Sequence, residues 1–293
     1  MNIRVLRYFL TVVREENISR AAEILYITQP TLSRQMQELE KELNTKLFLR
    51  GKSKITLTES GMLLRRRAEE LIDLADKTER EFLMKDESVG GTVSIGCGES
   101  MAVKTLSESI TLFSKEYPDV KFEIHTGTAD YIKEQIDRGL LDVGLLIEPV
   151  EIEKYEYIRL KQTEKWGVLF RVDHPLCQKA SVTVEDICNI PLILPRRIGS
   201  QSVLHGWFGD SFGTLNVTAT INLVANSARL VLQGLGSGVT IEGSVDMYCN
   251  PELCFRPLEP TLESTSVLAW KKYQPFGQAA EKFIDYLKYA LKA

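Results

Sequence analysis

Residues 18–43 read ISRAAEILYITQPTLSRQMQELEKEL, and the folding of this stretch decides how the rest of the chain is understood. Ala21, Ala22 and Leu25 recur at helical spacing and are small enough to let another helix cross closely. Ser19 is the predicted N-cap of this short helix, RAAEILY. After Ile27, Thr28 caps a further helix, QPTLSRQMQELEKEL, which tolerates Pro30 in its first turn and turns Leu32, Met36, Leu39 and Leu43 inward. A first helix, with Ile3, Leu6, Phe9, Leu10 and Val13 on one face, ends near Glu15, Glu16 and Asn17. Together these segments predict a helix-turn-helix.

Working outward, KLFLRGKSKITLT at 46–58 has two short β-prone runs around GKS, which predicts a hairpin, a candidate wing, with Arg50, Lys52 and Lys54 at its tip. Thr58 then opens a helix from Glu59 to about Lys85, whose Leu64, Ala68, Leu71, Ile72, Ala75, Phe82 and Leu83 form one apolar stripe between charged faces. A stripe this long needs a partner, and the same helix of a second subunit supplies one. ESVGG at 87–91 is a linker. From Thr92 strands and helices alternate: TVSIGC, a helix around 101–116, YPDVKFEIHT, a helix around 129–138, and LDVGLLIE. A second set follows, WGVLFRV, PLILP, a helix in 201–212, VTATI, a helix in 227–233, and GVTI, before STSVLAWKK and a C-terminal helix from Pro275. Two α/β lobes with mostly parallel sheets imply a ligand cleft between them.

The chain has 293 residues and a net charge of −4, but the charge is uneven. Residues 1–67 carry 13 Lys and Arg against 7 Asp and Glu, while the remainder carries 23 against 33. A basic head on an acidic body fits a polyanion-binding head, although solvated faces alone also produce such asymmetry. Charges at Arg4, Arg7, Arg14, Glu15 and Glu16 break up the start, so neither a signal peptide nor a membrane span is read there, and a cytoplasmic protein without membrane partners is expected. Five scattered cysteines with no CxxC and three histidines predict neither disulfides nor a zinc site, and no cofactor is expected. Cys249 and Cys254, closest in sequence, are the candidate redox pair, with buried reduced thiols as the alternative.

In a helix-turn-helix the second helix enters the major groove and its N-terminal side chains meet base edges. Gln29 can then pair with adenine and Arg34 with guanine, while Thr31, Ser33 and Gln37 reach bases or phosphates; Ser19, Thr28 and Pro30 complete the candidate set. Arg50, Lys52 and Lys54 suit phosphate or minor-groove contact. An ordinary three-helix bundle with a solvated polar face is the alternative reading.

The stretch FLTVVREENISRAAEILYITQPTLSRQMQELEKELNTKLFLRGKSKITLTESG resembles the N-terminal domain of LysR-type transcriptional regulators. The resemblance runs through Ala21 and Ala22, Gln29 and Pro30, Leu32 to Gln35, Leu39 and Glu40, Leu47 and Phe48, Arg50, Leu57 to Glu59, and Gly61. GTVSIG, YPDV, RGLLDVGLL, HPL at 174–176 and LVLQGLGSGVTI continue it more loosely to the far end. It implies an α/β protein with an N-terminal winged helix-turn-helix, a long dimerising linker helix, and a two-lobed effector domain like periplasmic binding proteins, assembled as a homodimer or homotetramer. The corresponding bounds are 1–58, 59–90 and 91–293, with lobe I about 91–161 and 266–293 and lobe II about 162–265. Implied partners are double-stranded promoter or operator DNA, a small anionic effector, and RNA polymerase. Two departures stand out: Gly51 comes early in the wing, and Glu242 and Gly243 follow GSGVTI where the family often has a proline.

For the effector, CGES places Gly98, Glu99 and Ser100 before a helix, with Met101 next, where free N–H groups and the helix dipole favour an anion or a carbonyl. Gly127 and Thr128 recur at the second strand-helix junction, with Thr126 before them, and Gly199, Ser200, Gln201 and Ser202 in the other lobe; Asn226 is added. By resemblance these are where the family holds its effector; plain N-caps that bind nothing are the alternative. An enzyme would pair Ser100 or Ser202 with His125 or His205, but no GxSxG, Walker, GxGxxG or HExxH pattern supports one. A free solute-binding protein would leave the first 90 residues unexplained.

Overall fold

The computed structural model describes residues 1–50, 54–83, 89–246 and 250–292, with side chains except those of Arg50, 80–83, 198–201, Asp246 and Lys292. It divides into two compact units, Met1–Lys85 and Asp86–Ala293.

The first unit packs α1 (Ile3–Glu15), α2 (Ile18–Ile24) and α3 (Gln29–Glu42) beneath an antiparallel hairpin of β1 (Phe48–Arg50) and β2 (Ile55–Leu57), followed by α4 (Glu59–Leu83). Leu6, Phe9 and Val12 meet Ala21, Ala22, Leu32, Met36, Leu39 and Leu47 in one buried cluster. Thr28 caps α3 as expected, its Oγ1 accepting from Thr31 N at 3.4 Å. Ser19 does not cap α2: Asn17 does, its Oδ1 accepting from Arg20 N at 3.1 Å, so the helix starts earlier and Ser19 lies inside it. Leu43, expected inside, is the C-cap of α3 and 36% exposed.

α4 has two apolar faces rather than one stripe. Leu64, Ala68 and Ile72 are buried in the cluster of their own head, and Arg7 ion-pairs with Asp76 alongside. Leu63, Leu71 and Leu74 stay exposed. The two faces adjoin, because 3.6-residue spacing puts the exposed Leu71 within about 20° of the buried Leu64, seven residues earlier, and so they read as one stripe in the sequence.

In the second unit β3 (Gly91–Cys97), α5 (Ala102–Glu116), β4 (Val120–Thr126), α6 (Ala129–Asp137) and β5 (Val143–Ile147) form the expected parallel βαβαβ. β6 (Tyr155–Arg171) follows, then α7 (Val184–Ile187), β7 (Leu192–Pro195), α8 (Ile198–Phe208), β8 (Val217–Ile221), α9 (Val224–Leu232), β9 (Ser237–Ile241), α10 (Glu242–Asp246), β10 (Leu253–Pro257), β11 (Glu263–Lys271) and α11 (Gln278–Lys292). Strand order is β4-β3-β5-β11-β6-β9-β7-β8, with β10 also on β6. The N-terminal part of β6 pairs antiparallel with β11, and its C-terminal part, from Trp166, pairs with β9 and β10. One 17-residue strand therefore belongs to both lobes. Its first half, YEYIRLKQTE, was not expected as a strand, because charged residues fill its solvent face.

Each lobe has its own core. Phe113 and Phe283 meet edge to face at 5.1 Å in lobe I, among Val93, Ile95, Leu106 and Leu287. Phe170, Leu192, Leu204, Phe208 and Val239 centre lobe II. Helix α8 begins at Ile198, so Ser200, Gln201 and Ser202 lie within its first turns and not ahead of it, as had been expected.

Candidate functional site

On the first unit, α2 and α3 are fastened by Ala21 and Ala22, 0% and 2% exposed, which leaves the opposite side of α3 free. Thr28, Gln29, Pro30, Thr31, Arg34 and Gln37 are exposed, Ser33 is half-buried, and Ser19 is exposed on α2. Thr28 and Thr31 share a hydroxyl hydrogen bond of 2.8 Å, and Arg34 Nε donates to Glu38 Oε1 at 2.9 Å across one helical turn. An exposed pair of this kind is weak and exchangeable. Lys54 sits at the start of β2's side of the hairpin, donating to Glu16 Oε2 at 2.5 Å; Lys52 and the Arg50 side chain lie outside the described residues.

Sequence periodicity alone did not assign a role to Glu40. Its side chain is 9% exposed, and it accepts from Leu47 N at 2.8 Å, Phe48 N at 3.3 Å and Lys46 Nζ at 2.9 Å, holding the hairpin to α3. Burial pushes its pKa up, but Lys46 and the two amides outweigh that and hold it below the usual carboxylate value.

The second unit has a cavity between its lobes, with about 700 Å³ of empty space including its open mouth. Its wall includes four of the expected residues, Gly98, Glu99, Gly127 and Thr128. Thr128 Oγ1 caps α6 by accepting from Tyr131 N at 3.4 Å. Ser100 is 1% exposed, with its hydroxyl buried and without a hydrogen-bond partner, and neither it nor Met101, Ser202 or Asn226 belongs to the wall. Ser202 and Asn226 face solvent instead, while the side chains of Ser200 and Gln201 lie outside the described residues.

The expectation of a free helix N-terminus at α5 needs correction. Glu164, where β6 passes from pairing with β11 to pairing with β9 and β10, receives Ala102 N at 3.3 Å on one oxygen and Gly243 N at 3.3 Å on the other. Burial raises its pKa, partly offset by the backbone amides of Met101, Ala102 and Gly243. No side chain would fit at residue 243, where a Cβ would lie 2.2 Å from Met101 N and 2.7 Å from Glu164 Oε2. The lobes are also joined by Glu99: its Oε2 accepts from Val224 N, the first amide of α9, at 2.6 Å, and its carbonyl accepts from the Ser244 hydroxyl. Two helix N-termini thus already face carboxylates of the protein itself.

Sequence reading missed Arg197 and the apolar wall. Arg197 bridges the lobes, Nη1 donating to Ile147 O at 2.8 Å and Nη2 to Pro149 O at 2.6 Å. Leu145, Ile147, Trp166, Val239 and Ile241 supply the apolar surface. The RR pair at 196–197 marked this loop as basic, but only tertiary packing turns one arginine inward.

Among the described residues no group of three or more His, Cys, Asp or Glu gathers to hold a metal, and no helix is long and apolar enough to cross a membrane. Cys249 lies outside the described residues. In space Cys254 neighbours Cys177, whose thiol is pushed up to about 12 by burial and by Cys254 itself, far from a reactive thiolate.

Comparison with known proteins matches residues 3–62 to the bacterial regulatory helix-turn-helix protein, lysR family, and residues 86–292 to the LysR substrate binding domain. Among relatives, the Hca operon transcriptional activator HcaR of Escherichia coli (strain K12) is 30% identical over 280 residues, covering 93% of this chain and 92% of its own. The HTH-type transcriptional regulator BsdA of Bacillus subtilis (strain 168) is 29% identical over 294 residues, covering 97% and 99%. The solved structure of CbnR, a LysR family transcriptional regulator, superposes with a TM-score of 0.79 at 20% identity over 100% of both chains. CbnR in complex with its target DNA gives 0.77 at 20% identity over 99% of both. With a helix-turn-helix and a two-lobed sensor matched along nearly its whole length, the chain belongs to the LysR family of DNA-binding transcriptional regulators.

Proposed function

We propose that this regulator reads its operator through α3 and that a small molecule in the interlobe cavity controls it. Gln29 and Arg34 meet base edges, Thr31, Ser33 and Gln37 bases or phosphates, with Ser19, Thr28 and Pro30 flanking them, and Arg50, Lys52 and Lys54 grip the backbone. Gly98, Glu99, Gly127 and Thr128 form the effector side of lobe I, and Ser200 and Gln201 are the candidate contacts of lobe II. Residues 1–58, 59–90 and 91–293 act as reader, linker and sensor. The exposed Leu63, Leu71 and Leu74 of α4 are the face on which two copies join as a dimer, the unit of a dimer or tetramer. The protein works in the cytoplasm, as DNA binding requires, and by binding rather than by turnover.

The observation that carries this reading is the outward, polar N-terminal half of α3, backed by a closely packed α2. Selection of random duplexes with the full chain should enrich a motif of two symmetric half-sites. On that motif Arg34→Ala should lose about 1 to 3 kcal/mol of discrimination against a scrambled duplex. Lys52→Ala should weaken both duplexes alike and lower the salt slope by about one. Fluorescence anisotropy reads both effects. Failure to enrich any motif would overturn the reading.

A further inference from the structure

The cavity offers anions two positions, and the protein occupies one of them itself. At the start of α9, Val224 N is taken by Glu99 from the opposite lobe, at 2.6 Å. The other position is Arg197. Its side chain is only 10% exposed, two of its N–H groups are spent on the carbonyls of Ile147 and Pro149, and its Nε is buried without a hydrogen-bond partner. The carboxylate of Asp130 stands 3.9 Å from that Nε and is itself 61% exposed.

A guanidinium keeps its proton under all ordinary conditions, so burial leaves a cation short of counter-charge. Its pKa is lowered by burial, which Asp130 only partly opposes. Such a group gains most from a planar anion able to accept two parallel hydrogen bonds. The wall beyond it is Leu145, Ile147, Trp166, Val239 and Ile241, which favours a ligand body without charge.

We propose that the cavity takes a monocarboxylate with a compact apolar body, its carboxylate held by Arg197, and that Glu99 at the start of α9 excludes a second carboxylate. The inference rests on the cavity being the effector site. It adds the chemistry of the effector and a residue that sets specificity.

Calorimetric titration of the full chain tests it with hexanoate and benzoate, their amides hexanamide and benzamide, and the dicarboxylates adipate and terephthalate. At least one monocarboxylate should bind, about tenfold or more tighter than its amide and than the matching dicarboxylate. Arg197→Gln should erase the preference for acid over amide, whereas Arg197→Lys should keep part of it. Glu99→Gln should narrow the gap between mono- and dicarboxylate. Because Arg197 also joins the lobes, the Lys variant and the acid-to-amide ratio of the parent protein carry the test if the Gln variant does not fold. Binding by neither monocarboxylate, preference for a dicarboxylate, or an acid preference that survives Arg197→Gln would overturn the proposal. Thr128→Leu, which fills the cavity, separates the two levels. Acid and amide that bind equally, and are both lost in Thr128→Leu, would leave the cavity standing without its anion site. Binding that persists in Thr128→Leu would displace the effector from the cavity altogether.

Discussion

Glu40 in the head and Glu164 in the sensor are both buried carboxylates that accept backbone N–H groups, yet their environments drive them in opposite directions. Glu40 has Lys46 at 2.9 Å and a depressed pKa, and it is buried near the C-terminal end of α3, beyond the exposed Gln29, Arg34 and Gln37. Glu164 has no cation among the causes that shift it, Glu242 nearby raises it further, and it sits at the strand shared by the two lobes. The head keeps its scaffold and its working surface separate, so exposed donors are free to meet a partner. The sensor uses the same groups for both tasks: the carboxylates that fasten the lobes stand beside the ligand cavity.

The hardest test of that contrast is Gly243→Val. A Cβ there meets the Met101 backbone nitrogen at 2.2 Å, and neither chain can yield without parting the lobes. The sensor should lose about 3 kcal/mol of stability, the upper end of ordinary overpacking. Thermal unfolding of the full chain would read this, and a variant as stable as its parent would mean that the lobes separate freely at this seam.

Glu40→Ala comes next. It leaves the buried Leu47 N–H without an acceptor, which costs about 1 to 3 kcal/mol. Since the folded pKa of Glu40 is depressed, its contribution is complete above the pKa of the unfolded chain and disappears as pH falls through the folded value. The difference in melting temperature between parent and variant should therefore shrink under acid conditions. A difference independent of pH would assign the loss to packing alone.

The smallest effect belongs to Glu164. Its folded pKa is raised, so its stabilising contribution is complete below the unfolded pKa and is lost as pH rises through the folded one, the reverse of Glu40. Glu164→Gln, which cannot ionise, should flatten the fall in stability between those two values. Melting profiles of parent and variant with the same slope would show that Glu164 is not the group titrating there.

These residues also mark what could be read in advance. Amphipathic spacing made the helices of the head legible, and Thr28 before QPTL announced its own cap, because both signals are local. Ser19 and Asn17 are equally good caps by chemistry, and only the packing of Ile18 against the head core decides for Asn17. In the sensor the alternation of strands and helices was legible, as were Gly98, Glu99, Gly127 and Thr128 at their turns. Ser100 was not: its junction looks like that of Thr128, but Glu164, more than sixty residues away, has taken the amides of α5. Arg197 escaped notice because a charged residue in a loop is ordinarily solvated, and nothing nearby in sequence shows that Ile147 and Pro149 will receive it.

The bond from Glu99 to Val224 N has a consequence for how ligands compete. A carboxylate carried by the protein itself is present at the start of α9 at an effective concentration on the order of millimolar, whatever the composition of the surrounding medium. A free carboxylate well below that concentration displaces it only in small part, so a second carboxylate enters there only when supplied well above it.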